Sequence, residues 1–86
     1  MTAQEHDKQM AEVQALTFFV ARGLMNTHLH KNILTTPSFK KLLDLAELES
    51  HHSDALFNTI QTGNPYAKTA RNKFIAMLKQ LNKKIK

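Results

Sequence analysis

The chain predicts an all-α fold: a compact single-domain bundle of three to four helices spanning residues 1–86. Three observations carry this expectation. Glycine and proline number only two each in 86 residues, so few chain breaks are available. Apolar residues recur at three- and four-residue steps instead of alternating, which is the period of a helix face and not of a strand. Capping residues stand just ahead of the apolar runs. The expected helices cover about 3–24, 37–50, 53–61 and 65–83, with the second and third either separate or continuous.

The first helix opens at "TAQE", where Thr2 can cap a backbone amide and Glu5 can reach back to complete a capping box. Met10, Val13, Thr17, Val20 and Leu24 then mark one face. Phe18, Phe19 and Met25 lie off that stripe, so the second half is apolar nearly all round. Such a helix is either the central element of the bundle or the interface with another chain. The segment "MNTHLHKNILTT" is read as a connection, with Leu29, Ile33 and Leu34 folding back onto the core.

The second helix begins at "TTPSF", with Thr36 as N-cap and Pro37 at the first helical position, where its missing N–H is not needed. Phe39, Leu42, Leu43 and Ala46 supply the apolar face. The pattern lapses over "ESHHSD" and resumes at Leu56, Phe57 and Ile60, so Ser53 is a candidate cap for a separate helix. At "TGNP", Gly63 is expected in the left-handed terminal conformation, and Asn64 and Pro65 are expected to start the last helix.

Charge is distributed unevenly. Residues 1–64 hold five basic and seven acidic side chains, whereas residues 65–86 hold seven basic and none acidic. At about 100° per residue, Ala67, Ala70, Phe74, Met77, Leu78, Leu81 and Ile85 share one arc of the last helix, which is expected to dock onto the bundle. Lys68, Arg71, Lys79, Lys83 and Lys86 form a second arc, with Ile75 expected to be exposed among them. Those six residues are the candidate surface for a partner or for nucleic acid. Phe18, Phe19 and Met25 are the candidate oligomer interface.

Residues 39–61 resemble a helix-turn-helix, with Ala46 as the small residue of its first helix and Leu56 as a buried residue of its second. The sequence departs from that motif where Ser50 replaces the turn glycine and where Glu49, His51 and Thr59 occupy apolar positions.

Chemistry is sparsely represented. There is no cysteine, so neither a disulfide nor a thiolate metal site is available. His28, His30, His51 and His52 fall two apart or adjacent, not at the spacing that turns two imidazoles to one ion; no metal and no cofactor are expected. Asp44, Glu47, Glu49 and Asp54 read as outward carboxylates, and no nucleophile–base pairing stands out, so no enzymatic activity is expected. The longest apolar stretch, "ALTFFVARGLM", is interrupted at Thr17, Arg22 and Gly23 and is shorter than the roughly 20 residues a membrane span needs. A soluble, cytoplasmic protein is expected. The function these features favour is that of a small non-enzymatic regulator or inhibitor that works by protein–protein interaction, with another protein or with itself as a homodimer. The alternative is a nucleic-acid-binding regulator that contacts the phosphate backbone through its basic C-terminal helix.

Overall fold

In the computed structural model, which describes residues 1–30, 32 and 34–85, the expected helical bundle is present with four helices and no strand among the described residues. Helix α1 covers residues 3–26 and is continuous but not uniform: Ala3–Met10 is α-helical, Ala11–Leu16 is a π-helical segment and Thr17–Asn26 is α-helical again. Helices α2 (Pro37–Ser50), α3 (Asp54–Gly63) and α4 (Ala67–Lys84) follow.

The helix starts form as their sequences dictate. Thr2 and Glu5 make the complete capping box, and the side chains of Thr36 and Ser53 accept from the backbone N–H groups of Phe39 and Leu56. Each satisfies an amide that has no partner within its helix. The cap at Ser53 ends the ambiguity over "ESHHSD": α2 and α3 are separate.

Two boundaries differ from expectation. Gly63 is not left-handed; among the described residues His28, just past the end of α1, is the one with positive φ, at 57°. Helix α4 begins at Ala67 and not at Pro65. Pro65 holds Asn64 in extended backbone, and the Asn64 side chain closes a tight turn by accepting from the N–H of Tyr66 at 2.8 Å. Its amide also donates to the backbone oxygen of Asp7 at 2.8 Å, tying this corner to α1.

Helix α1 is the spine. Its C-terminal half packs along α2, while its π segment receives both α3 and α4. The fully buried apolar residues are small: Ala11 and Ala15 in the π segment, Ala21 further along, and Ala67 at the start of α4. Small residues let helix backbones approach closely, leaving the larger side chains to pack around the crossing and not within it. The π segment has a local cause as well. The carboxamide of Gln61, itself buried, donates to the Ala15 carbonyl at 2.8 Å, and the Thr17 hydroxyl donates to the Glu12 carbonyl at 3.2 Å. Side chains that claim helix carbonyls favour a widened turn.

Leu29 is half-buried as expected, but Leu34 is 91% exposed and does not fold back onto the core. Ile33 lies outside the described residues.

Candidate interaction surface

The strongest polar cluster is internal. Against the outward position expected for Glu49, its side chain is fully buried. Arg22 Nε donates to Glu49 Oε1 at 3.1 Å, and Nη2 stands 3.0 Å from the same oxygen without a well-directed hydrogen bond. Arg22 Nη1 donates to Asp54 Oδ1 at 2.6 Å, and His52 Nδ1 meets Glu49 Oε2 at 2.8 Å. The guanidinium lies over the Phe57 ring, 4.4 Å from its centroid. The hydrogen bond to Asp54, helped by Glu49 and opposed by desolvation, raises the Arg22 pKa above its ordinary value, so this side chain is a permanent cation. The cluster clamps the corner between α2 and α3 onto α1. It corrects the reading of Glu49 because a carboxylate can be buried once a cation pairs with it and hydrogen bonds take its remaining lone pairs.

Arg71 is also turned inward. In place of the expected position in the exposed basic arc, its Nη1 donates to the Gln61 carbonyl at 3.2 Å and to Gln61 Oε1 at 3.0 Å, with the guanidinium 5.9 Å from the Phe19 centroid. A planar fork suits this capping of the α3 end, where carbonyls lack helical partners. Ile75 is half-buried rather than exposed. Lys68, Lys79 and Lys83 are exposed; Lys86 lies outside the described residues. Of the arc read from the sequence, three lysines therefore remain in solvent and the rest does not form one described surface with them.

The rings read as an oligomer interface are engaged within the chain. Phe18 is half-buried and meets the His52 ring edge-on at 4.6 Å, and Phe19 lies beneath Arg71. Met25 borders an open groove of about 670 Å³ between α1 and α2, floored by Leu29, Leu43 and Ala46. Among the described residues no cluster of three or more His, Asp or Glu side chains could hold a metal ion. Among the same residues, no helix is long and apolar enough to cross a membrane.

What stands open is the second half of α4. The apolar arc, expected to dock onto the bundle, docks at its start, where Ala67 is fully buried and Ala70 and Phe74 are half-buried. Beyond them the helix runs past the bundle: Met77 is 51% exposed, Leu78 49%, Leu81 58% and Ile85 68%. Four large apolar side chains in line on one helix face are not required for solubility and are costly to leave in water. About half or more of each is left uncovered, and the contacts of α4 with the rest of the bundle are chiefly with the π segment of α1 and with α3.

The whole molecule carries the same sign. Its surface is 6810 Å², against about 5,200 Å² for a compact monomer of 9.8 kDa. Its radius of gyration is 14.6 Å, against about 12 Å for a compact chain of this length. The surplus surface, roughly 1,600 Å², exceeds the ~800 Å² that one partner gives to an interface of standard size.

A helical module with its internal charges spent on fixing its own helices and an apolar helix face left uncovered belongs to the class of association domains. The family comparison agrees: the family described as prephenate dehydrogenase, dimerization domain, matches residues 2–86, and the chain belongs to that family. A comparison with curated proteins finds no match.

Proposed function

We propose that this chain is a homodimerisation module in which two copies pair through the uncovered second half of α4, and that it takes no catalytic part itself. The observation that carries the reading is the line of Met77, Leu78, Leu81 and Ile85, each about half exposed or more on a helix that the rest of the fold holds at its other end. The surplus surface supports it in amount, and the dimerization named in the family's description supports it in kind. The non-catalytic part of the reading is supported by where the titratable groups are used: Arg22, Glu49, His52 and Asp54 bond to one another across three elements. Any regulatory or inhibitory effect would be exerted through pairing, by occupying the α4 face of another chain of the same fold.

The test is the double substitution Leu78→Gln/Leu81→Gln, which keeps good helix formers and replaces two exposed apolar side chains. Sedimentation equilibrium is expected to show a dimer for the wild type and a monomer for the variant, with unchanged far-ultraviolet circular dichroism. A variant that dimerises as tightly as the wild type would refute the assignment of the interface.

A further inference from the structure

Helix α1 is built on a sequence with the α period, yet its backbone does not keep that period throughout. Met10, Val13, Thr17, Val20 and Leu24 stand at three- and four-residue steps, and in an uninterrupted α-helix all five would share one stripe. Four of them are half-buried. Val13, inside the π segment, is 69% exposed. A π turn closes over five residues where an α turn closes over four, so the segment holds one residue too many for the stripe and turns Val13 out of it.

The groups that hold this extra residue in place come from elsewhere in the chain. Gln61 Nε2, near the end of α3, donates to the Ala15 carbonyl at 2.8 Å, and Gln61 Oε1 is held in turn by Arg71 of α4 at 3.0 Å. On the N-terminal side of the segment, the same setting brings the backbone oxygen of Asp7 to the Asn64 amide at 2.8 Å and the Lys8 ammonium over the Tyr66 ring, 5.5 Å from its centroid. It also buries Ala11.

We infer that α1 is a two-position register switch, in which the π turn is set when the corner between α3 and α4 is seated on α1 and relaxes to α-helix when that corner is released. Relaxation rotates residues 3–10 by about 100° against residues 17–26. It gains a regular hydrogen-bond ladder and returns Val13 to the stripe. It loses the bond from Gln61 to Ala15, carries Asp7 and Lys8 away from Asn64 and Tyr66, and takes Ala11 out of its burial. Opposing changes of this size leave two packings of one sequence close in free energy. The coupling is reciprocal: whatever loosens the corner favours the all-α position, and whatever holds the π turn seats α4. The device works within one chain and does not need α4 to pair with another copy.

Two variants move the switch in opposite directions, and nuclear magnetic resonance reads it. Scalar couplings across hydrogen bonds, from amide nitrogen to carbonyl carbon, report the partner of each helical amide. In the wild type the bonds within residues 11–16 are expected to run five residues back. In Gln61→Met, which removes the donor to Ala15 and keeps a side chain of similar length, they are expected to run four residues back, with loss of the Overhauser contacts between Lys8 and the Tyr66 ring. A folded Gln61→Met that keeps the five-residue bonds would overturn the switch. So would four-residue bonds with Lys8 still against Tyr66, since register and corner would then be uncoupled. Val13→Gln keeps a good helix former and replaces the one apolar side chain that only the α position draws back into the stripe. Helix register shifts run on microseconds to milliseconds, so relaxation dispersion at the amides of residues 3–16 is expected in the wild type and is expected to be lost in Val13→Gln. This comparison leaves Gln61 untouched and decides the matter even where Gln61→Met does not fold. A wild type without such exchange, or equal exchange in Val13→Gln, would overturn the switch.

Discussion

Replacing Leu81 by alanine isolates the interface from the fold. Leu81 is 58% exposed, so its own chain covers less than half of it, and the substitution removes little that the monomer uses. Full burial of a leucine side chain contributes about 1.5–3 kcal/mol; covering the exposed share contributes about 1–1.5 kcal/mol by the same coefficient. A two-fold dimer contains the residue twice, so Leu81→Ala should weaken association by roughly 2–3 kcal/mol, or about 30- to 150-fold in Kd. Alanine is the best helix former, so α4 itself is not weakened. The assay is sedimentation equilibrium over a range of protein concentrations, with urea unfolding of the dilute monomer as the check on the fold. Leu34→Ala is the control: that residue is 91% exposed but lies between α1 and α2, away from α4, and its loss should leave Kd unchanged. An unchanged Kd for Leu81→Ala, or an equal weakening by Leu34→Ala, would show that Leu81 does not lie in the interface.

Other substitutions test the frame that holds α4. Glu49→Ala leaves the Arg22 guanidinium facing a buried gap, and should lower stability by about 3–5 kcal/mol in urea unfolding, whereas Asp54→Ala, which removes the exposed member of the cluster, should cost no more than ~1 kcal/mol. Gly23 lies inside α1 with nothing within 4 Å of the place a Cβ would take, so Gly23→Ala should stabilise by roughly 0.5–1 kcal/mol and raise Tm by several degrees in calorimetry. Arg71→Ala should destabilise by about 1–3 kcal/mol in urea unfolding because it strips a partner from the buried Gln61 side chain and another from the Gln61 carbonyl. Lys79→Ala/Lys83→Ala should change neither stability nor Kd, because at about 100° per residue both side chains point away from the apolar stripe.

Helix boundaries are legible in the sequence wherever a local hydrogen bond sets them. Thr2 with Glu5, Thr36 and Ser53 each act on an amide three residues away, within the range that spacing can reveal. The start of α4 is not legible in this way because Asn64 bonds to Tyr66 and also to Asp7, 57 residues away. The burial of Glu49 escapes spacing for the same reason: it depends on Arg22, 27 residues distant. One signal is present in the sequence, an arginine inside an otherwise apolar run, which must find a carboxylate if it is not to face solvent. The π segment depends on the reach of Gln61 to Ala15 and leaves no periodic trace.

For the candidate surface, the apolar arc of α4 is legible in full, since helical spacing shows which residues share a face. What the spacing does not show is how far along the helix its neighbours extend. Ala67 and Ile85 belong to one arc, yet one is fully buried and the other 68% exposed. The rings of Phe18 and Phe19 stand out for a sound reason, the apolar circumference of α1, but a helix that serves as spine to three others uses that circumference internally. Arg71 likewise shares a helix arc with Lys79 and Lys83 while its long side chain bends back to Gln61. Direction from the helix axis sets where a side chain starts, not where its charged end is satisfied.

The measurement that bears most directly on the account is the solution mass of the wild-type chain by sedimentation equilibrium as concentration is raised. Pairing through α4 predicts a mass that climbs to a plateau at twice 9.8 kDa. A mass that stays at 9.8 kDa up to the solubility limit would contradict it.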